Sequence, residues 1–244
     1  MKNLQIPLKR DSSQDLLVHS IFYTIQGEGP FSGHTAVFIR LSGCNIQCPG
    51  CDTEYTEGAK RISPQDLALA AIEEIPQGAK CNLVVITGGE PFRQTAIAAL
   101  VDRLHYYSFQ VQIETNGTMA IPIFTMQTPT IVCSPKTKGL NPKAIPYITH
   151  YKYVLEAGNI AEHDGLPLSA LQNHAEPWVA RPPENFQGNI YIQPMDMTML
   201  YKDNPYIAGS IEEANQRNIQ ACVASAKRFG YTVQLQVHKY LQVE

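Results

Sequence analysis

The chain lacks the features that mark several classes of protein. Its net charge is only −3, and its acidic and basic residues are interspersed, so nothing indicates the basic face that neutralises nucleic-acid phosphates. No apolar run approaches the roughly 20 residues that cross a bilayer, and residues 1–15 contain no apolar signal core. We therefore expect a cytoplasmic protein that binds neither nucleic acid nor membrane.

Cysteine is also scarce. The chain has six in 244 residues, which does not suit a disulfide scaffold. Three of them, Cys44, Cys48 and Cys51, fall within eight positions, and such a cluster in a reducing compartment indicates metal or redox chemistry. The scattered ones are expected to be small core residues: Cys81, Cys133 and Cys222.

Strand and helix signals alternate along the chain. Helices are predicted to begin at Ser63-Pro64, where proline follows a capping residue, and to span residues 94–107 and 211–229, the last closed by Gly230. Strands are predicted at residues 16–24, 35–43, 83–87, 109–117, 130–136, 151–157, 190–196 and 232–239. Residues 159–187 are irregular. This alternation is typical of an α/β protein with a mainly parallel sheet.

Polar motifs end several of these strands, namely TGGEP, ETNGT, SPK and QPMD. In parallel βα folds the loops at the carboxyl ends of the strands build the active site. We therefore expect the chemistry to lie where these motifs meet.

The three clustered cysteines have the spacing CxxxCxxC. Thiolates bind iron–sulfur clusters, and a cubane has four irons, so three cysteines leave one iron for an exogenous ligand. A zinc site would need four ligands, with His34 or His19 as the fourth. Three buried structural cysteines are the remaining alternative.

CxxxCxxC resembles the radical S-adenosylmethionine superfamily, whose unligated iron binds S-adenosylmethionine and cleaves it to a 5′-deoxyadenosyl radical. Gly50 departs from the aromatic residue that the superfamily commonly has before its third cysteine. The motif Gly88-Gly89-Glu90-Pro91 resembles the GGEP that binds the amino end of the cofactor there. Glycine permits close backbone approach and a carboxylate can accept from an ammonium group, although GGEP alone could be an ordinary turn.

Further motifs resemble the 7-carboxy-7-deazaguanine synthases: IQGEG, FIRLSGCN, CDTEYT, TGGEP, ETNGT, SPK, QPMD and LQVHKYL. These enzymes are carbon–nitrogen lyases that contract the ring of 6-carboxy-5,6,7,8-tetrahydropterin with loss of ammonia, on the pathway to queuosine. The resemblance implies a 4Fe–4S cluster, S-adenosylmethionine and Mg²⁺. It also implies a single radical S-adenosylmethionine domain over residues 1–244, with an insertion at 159–187, folded as a partial (β/α) barrel.

Roles for individual residues follow from that resemblance. Cys44, Cys48 and Cys51 would hold the cluster and Thr53 would bind Mg²⁺. Substrate contacts are expected at Ile25, Gln26, Gly27, Glu28, Arg40, Thr87 and His238, with Arg40 as a bidentate clamp on the substrate carboxylate. Cofactor contacts are expected at Gly50, Cys51, Asp52, Gly89, Glu90, Ser134, Pro135, Lys136, Gln193, Pro194, Met195 and Asp196.

Several of these residues have plainer interpretations. QGEG is also typical of a hairpin turn, Asp52-Thr53 of a turn cap, and Met195 of a core residue. In some relatives the terminal carboxylate itself reaches the substrate, but this chain ends in LQVE, which does not predict such a role for Glu244.

The resemblance further implies a homodimer and an electron donor such as flavodoxin or ferredoxin. Two other functions are compatible with parts of the sequence. An activase that makes a glycyl radical on a partner protein would share CxxxCxxC and GGEP but would not need IQGEG. An iron–sulfur electron carrier or a zinc module would not need the strand-end motifs.

Overall fold

A computed structural model describes residues 6–51, 53–171, 178–198 and 208–243. Its strands are β1 (Leu16–Ile25), β2 (Thr35–Leu41), β3 (Lys60–Ile62), β4 (Leu83–Gly88), β5 (Gln110–Thr115), β6 (Thr130–Cys133), β7 (His150–Leu155), β8 (Ile190–Pro194) and β9 (Thr232–Val233). Its helices are α1 (Pro64–Glu73), α2 (Ile97–Tyr106), α3 (Ala208–Phe229) and α4 (Val237–Leu241). No helix within these ranges has both the length and the apolar composition needed to cross a membrane.

All these strands belong to one sheet in the order β3-β1-β2-β4-β5-β6-β7-β8-β9. The seven strands from β2 to β9 in that order are parallel to their neighbours. β1 and β3 extend the sheet in the antiparallel sense. The prediction of a mainly parallel α/β sheet is therefore confirmed.

The sheet is strongly curved. The loop that follows β1 meets the far strands, because the backbone N–H of Gly29 donates to the side chain of Gln234 at 2.7 Å. In the sheet order, five strands separate β1 from β8. A contact across them requires the sheet to bend toward closure, as in a partial barrel.

The predicted start of α1 and the predicted end of α3 are confirmed. Ser63 caps α1 by accepting from the N–H of Asp66 at 3.1 Å, with Pro64 at the first helical position. α3 ends at Phe229 and is closed by Gly230, whose φ is +78° and whose N–H donates to the carbonyl of Ala226.

The prediction for residues 232–239 is wrong. β9 comprises only Thr232–Val233, and residues 237–241 form the short helix α4. An alternating pattern such as TVQLQVHK is compatible with a strand, but here the chain has reached the edge of the sheet and turns back across the site. His238 therefore lies on a helix rather than on the last strand.

The main core lies between the sheet and α1 and α2. Strands contribute fully buried side chains such as Ile39 and Ile86, and the helices contribute Leu67, Leu100 and Leu104. Burying one such aliphatic side chain contributes about 1.5–3 kcal/mol. This core leaves the opposite, inner face of the sheet available for the polar side chains of the site.

Candidate active site

A cavity of about 470 Å³ lies on the inner face of the sheet. Its lining includes alternate residues of single strands, such as Phe38 and Arg40 on β2 and Lys152 and Val154 on β7, as expected for residues that share one face. The loops after β2, β4 and β6 also contribute. Besides the loops at carboxyl ends where the strand-end motifs were expected to meet, strand interiors and the loop after β1 form much of the lining.

The cysteine loop begins where β2 ends, and the GGEP turn holds it there. The N–H of Gly89 donates to the carbonyl of Leu41 and the N–H of Glu90 to that of Gly43, both at 3.0 Å. A Cβ on Gly88 would lie 2.0 Å from the Leu41 carbonyl oxygen, and one on Gly89 would lie 2.1 Å from that of Gly43. The two glycines therefore permit the contact between the two turns.

The thiols of Cys44, Cys48 and Cys51 all line the cavity, and none is in a disulfide. Burial raises the pKa of Cys44 to about 11 and raises that of Cys48. Within the described ranges, no three His, Cys, Asp or Glu side chains converge as ligands of a single metal ion. Three cysteines on one loop that line the same cavity are the donor set of a cubane, which takes one thiolate on each of three irons.

Glu90 lies beneath this loop and is fully buried. One of its oxygens accepts from the N–H of Phe92 at 3.0 Å and from the hydroxyl of Thr115 at 2.8 Å, and the other accepts from the N–H of Asn116 at 2.8 Å. Burial raises the pKa of Glu90 to about 7, against the lowering effect of these hydrogen bonds. Glu90 thus anchors the start of ETNGT to the GGEP turn.

The same network continues toward the cysteine loop. The side-chain amide of Asn116 donates to the Asn45 side chain at 3.0 Å and approaches Cys44 Sγ at 3.9 Å. Its carbonyl oxygen accepts from the N–H and hydroxyl of Thr118, which orients the amide nitrogen toward Cys44. The role that ETNGT has in the structure is therefore support of the cysteine loop.

Removing the Glu90 carboxylate should lower the stability of the folded protein. Glu90→Ala leaves two buried N–H groups and one hydroxyl without their acceptor, and we expect a loss of about 2–4 kcal/mol in the free energy of unfolding. Because the folded-state pKa of about 7 lies above the ordinary 4.5, the stabilisation by Glu90 is present below pH 4.5 and is lost as the pH rises through 7. The deficit of the variant should thus be larger at pH 5.5 than at pH 8.

Urea unfolding at the two pH values measures this. Glu73→Ala, at an exposed position of α1, is the matched control and should change stability little. A deficit that is the same for both variants, or larger at pH 8, would contradict the role of Glu90.

Arg40 lies on β2 beside two aromatic rings. Its guanidinium carbon is 5.1 Å from the centroid of the Phe22 ring, and Phe22 stacks on Phe38 at 5.4 Å. Thr87 is its register partner on β4, and all four line the cavity. Stacking on Phe22 orients the plane of the guanidinium, which suits recognition of a carboxylate.

Glu28 meets Lys152 at the other end of the cavity. Lys152 Nζ bonds to Glu28 Oε2 and, at 2.6 Å, to Glu114 Oε2. Burial would raise the pKa of Glu28, but the Lys152 ammonium outweighs it and holds that pKa well below its ordinary value. Burial would likewise lower the pKa of Lys152, but the Glu114 and Glu28 carboxylates raise it.

His238 reaches this end of the cavity from α4. The N–H of Val237 donates to the carbonyl of Gly27 at 3.2 Å, and a Cβ on Gly27 would lie 2.0 Å from the ring nitrogen Nδ1 of His238. Gly27 therefore acts by admitting His238, and it is His238 that lines the cavity.

Comparisons with known proteins agree with these features. A family model described as the radical SAM superfamily matches residues 38–123. The 7-carboxy-7-deazaguanine synthase of Rhodospirillum rubrum is 40% identical over 232 residues, which are 94% of this chain and 93% of that protein. The one from Rickettsia prowazekii is 34% identical over 240 residues, covering 94% and 89%. The chain belongs to the 7-carboxy-7-deazaguanine synthase family.

A solved structure supports the fold of this chain. The crystal structure of QueE from Escherichia coli matches it with a TM-score of 0.65 at 24% identity, covering 91% of this chain and 94% of that one. The expected radical S-adenosylmethionine type of α/β fold is thus confirmed.

Most residues implied by the family resemblance line the cavity. They are Ile25, Gln26, Glu28, Arg40, Cys44, Cys48, Cys51, Thr53, Thr87, Gly89, Ser134, Lys136, Gln193 and His238. Other predicted residues lie next to it without being part of that lining, namely Gly27, Gly50, Glu90, Pro135, Pro194, Met195 and Asp196. Asp52 and Glu244 lie outside the described residues.

Residues 159–187 touch the site through Leu171. Its carbonyl accepts from the N–H of Gly50 at 3.0 Å, and a Cβ on Gly50 would lie 2.9 Å from the Met195 side chain. Gly50, the departure from the superfamily pattern, thus occupies a position where a side chain would not fit without displacing its neighbours.

Sequence reasoning placed Tyr55, Glu114, Asn116 and Gln236 in motifs without giving them individual roles, and it missed Lys152. Lys152 had a usable signal, because a lysine within the apolar run YKYVLEA would be buried by the strand that carries it. Gln236 had none, since its position depends on the turn from β9 into α4.

Proposed function

We propose that this chain converts 6-carboxy-5,6,7,8-tetrahydropterin to 7-carboxy-7-deazaguanine with loss of ammonia. This is a carbon–nitrogen lyase reaction of queuosine and related 7-deazapurine biosynthesis. The observation that supports it is a single cavity whose lining includes the three thiols together with Arg40, Glu28 and His238. Membership of the family makes this activity the first to test.

Cys44, Cys48 and Cys51 would hold the 4Fe–4S cluster, with one iron left for S-adenosylmethionine. The residues that would contact S-adenosylmethionine include the Gly88-Gly89 backbone, Ser134, Lys136 and Gln193, which line the same cavity. When bound, the cluster and S-adenosylmethionine supply the radical that takes hydrogen from the substrate. The protein's task is orientation, charge complementarity and exclusion of water.

The chain's own side chains explain how the substrate would be oriented. Arg40 carries the positive charge for the substrate carboxylate, and Thr87 beside it adds a hydroxyl. Glu28 is held ionised by Lys152 and therefore accepts from N–H donors of the pterin ring. Orientation at both ends of the ring would fix which ring carbon faces the cysteine loop.

Thr53 would bind Mg²⁺ from the wall near the cysteines, where it lines the cavity. One hydroxyl suits a Mg²⁺ ion that keeps several waters and takes its other ligands from the substrate. We further propose a single domain, a homodimer, a cytoplasmic location and electron delivery by a flavodoxin or ferredoxin.

An anaerobic assay tests the proposed function. Protein reconstituted with iron and sulfide is incubated with reductant, S-adenosylmethionine, Mg²⁺ and the carboxytetrahydropterin, and product is followed by mass spectrometry. We expect about four irons per chain and product that requires every component. Zinc in place of iron, or S-adenosylmethionine cleavage without product, would contradict the proposal, and the second result would favour an activase.

A further inference from the structure

Three charged side chains from distant parts of the chain meet in the cavity. Glu28 follows β1, Glu114 lies on β5, and Lys152 lies on β7 between them. The second oxygen of each carboxylate accepts from a glutamine amide, Gln236 for Glu28 at 2.6 Å and Gln112 for Glu114 at 2.7 Å. Each carboxylate is therefore bound on both oxygens and has a fixed orientation.

These carboxylates retain capacity for a ligand. A carboxylate has about four lone-pair sites. The contacts with Lys152 and Gln112 use two of them on Glu114, and the contacts with Lys152, Gln236 and, at 3.4 Å, Gln193 use three on Glu28. Glu28, Glu114 and Lys152 all line the cavity. The remaining lone pairs thus offer adjacent acceptors to a ligand that presents several N–H donors.

The positive charge of Lys152 allows both carboxylates to stay ionised in this partly desolvated site. Its side chain is 9% exposed and each carboxylate is 15% exposed. Two carboxylates that share a desolvated site without a cation cannot both stay ionised, and one binds a proton. With Lys152 present, both can remain acceptors.

We propose that Lys152 is a positioning residue that keeps Glu28 and Glu114 charged and adjacent as a paired acceptor for the N–H edge of the pterin. This inference rests on the proposed function and names the residue that prepares its substrate site. We do not assign Lys152 a role as a general acid, since its raised pKa favours retention of the proton in the ammonium form.

Other charged or titratable groups near the trio are few in the described parts of the chain. His238 on α4 acts on Glu28, and its positive form lowers the Glu28 pKa. Cys133 on β6 has a pKa raised by burial, with a contribution from Glu114. Neither replaces the ammonium group between the two carboxylates.

A test that needs no substrate measures stability against pH. In the wild type, Glu28 with its lowered pKa contributes stability above the ordinary 4.5 that is lost only as the pH falls, so this trio adds no slope between pH 6 and 8. Glu90, with its pKa of about 7, gives the wild type a slope of its own in this range. In Lys152→Met the carboxylate pair should bind a further proton on folding, so stability should increase more steeply than in the wild type as the pH falls from 8 to 6. Lys152→Arg should keep the wild-type slope, and Lys152→Met/Glu114→Gln should return to it.

A second test measures substrate affinity in folded protein. For Lys152→Met we expect a KM for the carboxytetrahydropterin about 10-fold to 100-fold above that of the wild type at pH 7, with partial recovery toward pH 8.5. Lys152→Arg should retain most of the wild-type affinity. Lys143→Met, at an exposed position, should have the wild-type KM. Calorimetric titration with 7-carboxy-7-deazaguanine should show the same order.

The outcomes separate this inference from the proposed function. A Lys152→Met protein with no new pH slope, or with unchanged KM and only a lower melting temperature, would overturn the positioning role. If the wild type neither binds nor converts the pterin, the proposed function fails together with the assignment of the ligand. The pH slope still decides whether Lys152 holds the two charges.

Discussion

Cys48→Ala is expected to abolish product formation. Cys48 is the central cysteine of the loop and lines the cavity with Cys44 and Cys51, and its loss leaves two thiolates for a cluster that needs three. Because changes to residues that only support metal ligands already cost 10–100-fold, we expect a decrease of at least about 10³-fold. The measurements are iron and sulfide per chain and the rate of product formation after the same reconstitution.

Cys81→Ser is the matched control for this prediction. The Cys81 thiol lies within 3.5 Å of the carbonyl oxygens of Thr35 and Leu83 and is not part of the cavity lining. A serine hydroxyl can donate to the same oxygens, so iron content and rate should be close to wild type. Equal loss of iron in both variants would show that the assay reports general thiol oxidation rather than cluster ligation.

Arg40→Met is expected to lower kcat/KM for the carboxytetrahydropterin by about 10²–10³-fold. The change removes the guanidinium that would pair with the substrate carboxylate, and a bidentate charge-assisted contact consists of two hydrogen bonds of about 1.5–3 kcal/mol each. Arg40→Lys keeps the charge but loses the planar fork stacked on Phe22, so we expect an intermediate decrease. Steady-state kinetics at saturating S-adenosylmethionine measure both.

The decrease should be in KM more than in kcat, because Arg40 would contact a group that does not itself react. Arg103→Met, at an exposed position of α2, should leave both constants unchanged. An Arg40→Met enzyme with wild-type KM would place the substrate carboxylate elsewhere.

Predictions from the sequence succeeded where a feature depends on neighbours along the chain. The CxxxCxxC loop, the Ser63 cap and the close of α3 at Gly230 are local patterns, and the structure has the cap and the helix end where expected. The apolar run that became β4 is buried in the middle of a parallel sheet, as its continuous hydrophobicity predicts. Glu90 was predicted as a cofactor contact, whereas its hydrogen bonds with Thr115 and Asn116 beneath the cysteine loop were not predicted.

What the sequence determined by itself is the cysteine spacing, the alternation of strands and helices, and the motifs that indicate the chemistry, since each is written in adjacent residues. The tertiary structure decided the other half of the site. Lys152, Glu28 and Glu114 are far apart in sequence and meet because the sheet bends, and His238 enters because the chain turns into α4 after β9. Curvature and edge position arise from packing of the whole sheet, which no short stretch of sequence encodes.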